Sequence, residues 1–226
     1  MNKEQLAQEI HHRLHDYYGE PDWRPTLSPV EELVSTILSQ NTNDVNRDRA
    51  YDRLVAAFES WEDVRDAPPE LVVEAVRVAG LANQKAPRIQ EALKTITQER
   101  GEIELDFLSS LPTNQARKWL ENMKGVGPKT AAIVLLFALD KPAFPVDTHV
   151  HRVTGRVGLR PSKMSAGKAH DYLAELFPEE HYLEDHLNII RLGREICQAR
   201  SPACPKCPLK EICHYFDEEY PHDKGS

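Results

Sequence analysis

The stretch Met123–Asp147, with the sequence MKGVGPKTAAIVLLFALDKPAFPVD, constrains the fold more than any other part of this chain. It opens with a glycine turn, Gly125-Val126-Gly127, that needs a backbone freedom only glycine has at low cost. Pro128 suits the first position of a helix, because its φ is fixed and its missing N–H is not needed there. The following run, Ala131–Leu139, is apolar on every side, which predicts a helix that is buried all round.

Two charged side chains bracket this predicted helix. Lys129 stands at its start, and Asp147 follows a return segment that contains Pro142 and Pro145. A helix of about twelve residues from Lys129 onward rises about 18 Å, and about eight extended residues in the return segment can span about 26 Å. We therefore predict that Lys129 and Asp147 meet at one end of the helix and form the reaction centre. The alternatives are a solvated lysine at a helix start and an aspartate that caps the next helix.

Helical periodicity extends through nearly the whole chain. Ser28-Pro29-Val30-Glu31 is a capping box with proline at the first helical position, and apolar residues follow it at helical spacing. Further helices are predicted near 3–18, 44–58, 69–78, 84–99, 113–122, 148–158, 166–177 and 183–197. No run alternates with a period of two, so the predicted fold class is all-α.

Composition and charge indicate a cytoplasmic protein with one basic region. The chain starts without a signal-peptide pattern, and its longest apolar run, Ala131–Leu139, is half of what spans a bilayer. The net charge is −8, yet the segment Met123–Lys163 holds seven lysines and arginines against two aspartates, a net +5. Such a local excess fits a surface that binds DNA, and it also fits plain charge scatter.

Two polar loops interrupt the helices of the first half. Ser39–Asp44 is an interhelical loop in which Asn43 or Asp44 suits the N-cap of the next helix. Gly80–Lys85 contains a glycine C-cap followed by one apolar residue, Leu81, which in such a motif usually folds back onto its own helix end.

The four cysteines are the most specific feature of the C-terminal part. They are spaced C-x6-C-x2-C-x5-C at Cys197, Cys204, Cys207 and Cys213. In the cytoplasm such a group predicts a metal centre rather than disulfides. Four thiolates serve a structural zinc ion or an iron–sulfur cluster, and a single C-x2-C pair favours the cluster.

Together the glycine turn, the Pro145-Val146-Asp147-Thr148-His149 return, the two polar loops and the cysteine spacing resemble endonuclease III of the helix-hairpin-helix DNA glycosylase superfamily. The resemblance implies a two-lobed all-α fold. One lobe is a six-helix barrel at 22–141, with the helix-hairpin-helix at about 113–140, and the other joins 1–21 to 142–226. It further implies a 4Fe–4S cluster on the four cysteines, and DNA in the cleft between the lobes.

The resemblance also assigns roles. Lys129 is implied as the nucleophile and Asp147 as the catalytic carboxylate. Nucleophilic attack needs an unprotonated amine, and a helix N-terminus and a dry cleft both disfavour the ammonium form of a lysine. Asn41, where a glutamine is more usual, and Leu81 would fill the gap that a flipped-out base leaves in the duplex. The residues implied to contact DNA are Gln40, Asn41, Leu81, Gly125, Val126, Gly127, Thr130 and His149.

The function implied is a base excision DNA N-glycosylase with AP lyase activity. Its substrate is expected to be duplex DNA with a damaged base, by default an oxidised pyrimidine, or an abasic site, and the protein is expected to be a nucleoid-associated monomer. Two alternatives remain: a non-catalytic helix-hairpin-helix protein that binds DNA structure, and a mismatch-specific thymine or uracil glycosylase on the same fold.

Overall fold

A computed structural model describes residues 1–220, and these contain helices, turns and loops but no strand. The all-α prediction is therefore confirmed. The helices are α1 (Lys3–Tyr18), α2 (Pro29–Ser39), α3 (Asp44–Ala57), α4 (Trp61–Asp66), α5 (Pro69–Val76), α6 (Ala82–Arg100), α7 (Thr113–Glu121), α8 (Pro128–Ile133), α9 (Thr148–Val157), α10 (Ala166–Ala174), α11 (Tyr182–Glu195) and α12 (His214–Glu219).

Six of the twelve helices in residues 1–220 begin at a residue whose side chain caps them. Ser28 and Glu31 form the predicted capping box of α2, and Asn43 accepts a hydrogen bond from the N–H of Asn46 as the N-cap of α3. The short helices α4 and α12 were not predicted, since six residues are too few to show a helical period.

The chain divides into two units. The hairpin unit comprises Pro25–Lys141 and therefore α2 to α8, and the cysteine unit comprises Met1–Arg24 together with the chain from Pro142 onward. Within the cysteine unit, α11 packs against α9 and α1, so the N-terminal helix belongs with the C-terminal third of the chain.

In the hairpin unit, α2 packs against α3, α6 and α8 and supplies fully buried side chains such as Leu33 and Ile37. The helix after the glycine turn continues beyond α8 as a π-helical stretch, Val134–Ala138. The prediction that it is buried all round is wrong on one side. Ile133 and Phe137 lie one turn apart and are half-buried, although Ala131 and Leu135 are fully buried.

In the cysteine unit, the return segment that leads to Asp147 is buried and held by two histidines. The N–H of Val146 donates to Nδ1 of His170 (3.2 Å), and Nδ1 of His186 donates to the carbonyl of Pro145 (3.0 Å). The backbone immediately before Asp147 is therefore fixed within its unit. In residues 1–220, every helix is too short or too polar to cross a membrane.

Candidate functional site

The glycine turn between α7 and α8 needs glycine at one position only. Gly125 has a φ of +87°, in the region where a side chain is strained, whereas Gly127 has an extended φ of −103°. The sequence-based expectation that the whole turn needs glycine is therefore too broad. The N–H of Val126 donates to the carbonyl of Met123 (3.1 Å), while those of Gly125 and Gly127 have no acceptor among residues 1–220. Two N–H groups are thus available to an anion.

Lys129 lies at the second position of α8, immediately after this turn. Its side chain is half-buried, and no residue of the described chain accepts a hydrogen bond from its Nζ. Its neighbour Thr130 is buried and faces the interior of the hairpin unit. The Lys129 amine is therefore not committed to an ion pair within residues 1–220.

Asp147 is the N-cap of α9 in the cysteine unit. Its Oδ1 accepts a hydrogen bond from the N–H of Val150 (2.7 Å), so the capping role predicted as an alternative is confirmed. The cap uses one carboxylate oxygen and fixes the side chain, and Oδ2 remains for other chemistry. Lys129 and Asp147 belong to different units, and their meeting stays a prediction.

His149 follows Asp147 by two residues and is linked to the cysteine loop. Its Nδ1 accepts a hydrogen bond from the guanidinium of Arg152 (3.0 Å), which also donates to the carbonyls of Cys197 (2.9 Å) and Gly193 (2.8 Å). Arg152 was not among the site residues predicted from the sequence. The signal was its spacing, since it lies three residues after His149 on α9 and therefore on the same helix face.

The polar loop after α2 exposes one side chain and ties down another. Asn41 is exposed and has a left-handed backbone with a φ of +54°. In contrast, both ends of the Gln40 amide are occupied. Oε1 accepts from Arg88 (2.8 Å), and Nε2 donates to the carbonyl of Gly125 at 3.4 Å. The geometry therefore makes Asn41, rather than Gln40, the available side chain of this loop.

Leu81 forms the tip of the second loop, where it immediately precedes α6. It has a left-handed backbone with a φ of +51°, and its side chain is 49% exposed. Gly80 before it caps a short 3₁₀ turn. Leu81 thus keeps about half of its surface exposed at the loop tip.

The first turns of α6 contain two residues that the sequence analysis missed. Lys85 is 1% exposed, and its Nζ donates to oxygens of residues that lie in, or directly before, the two polar loops. Arg88 holds Gln40 as described above. The sequence signal for Lys85 was its register, because it falls on the same stripe of α6 as the buried Ile89, Leu93 and Ile96.

The four cysteines lie together in the cysteine unit. They line one cavity that is partly open to solvent and whose apolar neighbours include Leu192, Leu209 and Phe216. Burial raises the pKa of Cys207 to about 12, so its thiolate form requires a compensating positive centre. A cavity lined by four sulfur ligands and apolar side chains fits a metal centre.

Arg156 is a further residue of this site that was not predicted. Its guanidinium donates to Cys197 Sγ (3.4 Å) and to the carbonyl of Gln198 (2.7 Å). The carbonyl of Arg156 accepts a hydrogen bond from Cys213 Sγ (3.5 Å). The guanidinium also lies over the ring of Tyr215, 4.6 Å from the ring centroid. Arg156 therefore places positive charge directly beside the sulfur atoms.

Comparisons with known proteins agree over nearly the whole chain. The model of the HhH-GPD superfamily of base excision DNA repair proteins matches residues 34–179. An endonuclease III of Thermotoga maritima is 32% identical over 213 residues, which cover 94% of this chain and 92% of that protein. The solved structure of a non-covalent endonuclease III–DNA complex has a TM-score of 0.82 at 28% identity and covers 97% of this chain and 98% of its own. The structure of a trapped endonuclease III–DNA covalent intermediate has the same TM-score and sequence identity, and the match covers 97% of this chain and 99% of that chain.

Proposed function

The chain belongs to the HhH-GPD superfamily of base excision DNA repair proteins and, within it, to the endonuclease III family, and on this premise we propose that Lys129 and Asp147 carry its chemistry. The protein is a DNA glycosylase with AP lyase activity that binds DNA. The observation that most supports the assignment is the start of α8. There a half-buried amine follows the glycine turn, and no hydrogen bond within residues 1–220 engages it.

The reaction uses Lys129 as a nucleophile. Its unprotonated Nζ attacks C1′ of the deoxyribose, a C–N bond forms, and the glycosidic bond breaks with its electron pair leaving on the base. Opening of the sugar ring gives an imine between Nζ and C1′. Loss of a C2′ proton then expels the 3′ oxygen, which nicks the strand on the 3′ side of the lesion.

Asp147 supports these reaction steps from the N-cap of α9. Its carboxylate takes up the amine proton or stabilises the positive charge that develops on the sugar. The hydrogen bond from Val150 N–H to Oδ1 fixes the side chain, and Oδ2 is the oxygen we assign to the reaction.

DNA contacts are proposed for the glycine turn and the two polar loops. The N–H groups of Gly125 and Gly127 bind a backbone phosphate at the start of α8. Val126 and Thr130 are buried, so their part in DNA binding lies in holding the turn. Asn41 and Leu81 are exposed and suit insertion into the gap left by the flipped base, and His149 lies near the reacting sugar.

The cysteine cavity is proposed to hold a 4Fe–4S cluster. Cys197, Cys204, Cys207 and Cys213 are the four ligands, and Arg156 offsets the negative charge of the thiolates. When bound, the cluster supplies structure and a DNA-facing surface. The donor set also accepts zinc, and iron and sulfide analysis of purified protein with its visible absorption distinguishes the two.

The proposed substrates are oxidised pyrimidines and abasic sites in duplex DNA, acted on by a monomer in the nucleoid. We expect borohydride to reduce the imine and to link wild-type protein covalently to thymine-glycol and abasic duplexes. Lys129→Gln should not cross-link, and the matched control Lys124→Gln, four residues before α8 begins, should cross-link like the wild type. Equal cross-linking by Lys129→Gln contradicts the nucleophile assignment. DNA binding without any nicking by the wild type contradicts the enzyme, and preferential action on a thymine–guanine mismatch contradicts the substrate class.

A further inference from the structure

Lys85 carries a buried positive charge that no carboxylate neutralises. The side chain is 1% exposed, and no acidic residue in the described chain forms an ion pair with it. Its Nζ instead donates to three oxygens: the carbonyl of Leu38 (2.7 Å), the hydroxyl of Thr42 (2.6 Å) and the carbonyl of Ala79 (2.8 Å). An ammonium has three protons to donate, so all of them are used. Burying such a group is costly, which makes a mere packing role a poor explanation.

The three acceptors lie in, or directly before, the two loops that carry the exposed side chains. Leu38 and Thr42 flank Asn41 on both sides, and Ala79 lies two residues before Leu81. Thr42 adds a direct link, because its hydroxyl donates to the carbonyl of Ala79. One lysine therefore joins the Asn41 loop to the Leu81 loop at their bases.

Both exposed loop residues have a left-handed backbone. Asn41 has a φ of +54° and Leu81 a φ of +51°. A left-handed backbone is tolerated by asparagine but is unfavourable for leucine, and it persists only where surrounding contacts impose it. Leu81 is also half-exposed, so its own side chain contributes little to holding it in place.

Arg88 extends the same arrangement to the glycine turn. It lies three residues after Lys85 on α6 and donates to Gln40, whose amide in turn donates to the carbonyl of Gly125. The side chain of Arg88 also passes close to Gly125, where an added Cβ would lie 3.0 Å from its Cδ. The first turns of α6 thus contact all three elements assigned to DNA.

We propose that Lys85, assisted by Thr42, is a positioning residue that holds Asn41 and Leu81 ready to enter the duplex before DNA is bound. The inference rests on the proposed function and adds a residue that does not touch the DNA. Because the two loops are tied to one ammonium, they move together, and the gap is filled from both loops at once. Without Lys85, the left-handed residues relax, and each duplex encounter must restore them.

The experiment compares duplex with single-stranded abasic oligonucleotides, because an unpaired strand leaves no gap to fill. Lys85→Met keeps the length of the side chain and removes the ammonium, and Thr42→Val removes one hydroxyl with little change of shape. Lys94→Met, at an exposed position of the same helix, is the matched control. Thermal unfolding is measured for each protein. If Lys85→Met does not fold, Thr42→Val carries the test.

We expect cleavage of the duplex to fall roughly tenfold for Lys85→Met, which is the population change that corresponds to the strain of one left-handed residue. Cleavage of the single strand should stay near wild type. The fluorescence of 2-aminopurine opposite the lesion should report less unstacking, and Lys85→Met added to Leu81→Ala should cost little more than Leu81→Ala alone. An equal loss on both substrates, or no loss on the duplex, overturns the positioning role. A wild type that cleaves neither substrate instead overturns the proposed function.

Discussion

Replacing each glycine of the turn by alanine should have two different effects. In Gly125→Ala the alanine must keep a backbone φ of +87°, which costs about 1–2 kcal/mol for an L-residue. Its Cβ would also lie 3.0 Å from Cδ and 3.2 Å from Cγ of Arg88. Arg88 must then shift, and its hydrogen bond to Gln40 (2.8 Å) is weakened at a cost of about 1 kcal/mol.

The expected loss of stability for Gly125→Ala is therefore about 2–3 kcal/mol. For a chain of this size each kcal/mol lowers Tm by roughly 2–4 °C, so a decrease of about 4–12 °C is expected. Gly127→Ala is the matched control. Its backbone is extended, and an added Cβ meets no atom within 4 Å, so the stability change should stay within about 0.5 kcal/mol.

Calorimetry on both variants with the same metal content measures the difference, and fluorescence anisotropy with an abasic duplex measures DNA affinity. Gly127→Ala should bind DNA more weakly than the wild type at unchanged stability, because its methyl group crowds the phosphate proposed to bind there. The reasoning is refuted if Gly125→Ala unfolds at the wild-type temperature. It is equally refuted if both variants lose the same stability, because the two backbones would then not differ as described.

Three further substitutions separate folding from function. Asp147→Asn should fold as the wild type, because asparagine caps a helix as well as aspartate. Its rate of DNA cleavage should fall by at least about 100-fold, the usual range for a lost acid–base group. Single-turnover cleavage measures this rate, and a rate near that of the wild type would remove Asp147 from the reaction. Leu81→Ala should leave the Tm within about 2 °C of the wild-type value, since the side chain is 49% exposed. It should slow the cleavage of duplex abasic DNA but not of single-stranded abasic DNA. Unchanged cleavage of the duplex would exclude the insertion role. Cys207→Ser should lower the iron content and destabilise the cysteine unit, because it removes one of four clustered ligands. Full iron content, or a Tm equal to that of the wild type, would contradict the assignment of Cys207 as a ligand.

The sequence predicted the elements with strong local signals. The capping box at Ser28, the N-cap at Asp147 and nearly all of the longer helices follow from residues adjacent in the chain, so their pattern is readable without tertiary structure. Short helices such as α4 carry no such period and were missed. The face of the α8 helix that contains Ile133 was also misjudged, since an apolar run does not say which of its sides a neighbour covers.

The sequence alone determined the all-α class and the family, and it predicted the amine, the carboxylate and the four cysteines as site residues, because each of these is carried by residue type and spacing. Only the tertiary structure decided how the loops are held. Lys85 donates hydrogen bonds to residues up to 47 positions away in the sequence, and Arg156 donates to Cys197, which is 41 positions away. Such partners meet only when helices pack, and the cost of burying a charge then selects the oxygens that surround it.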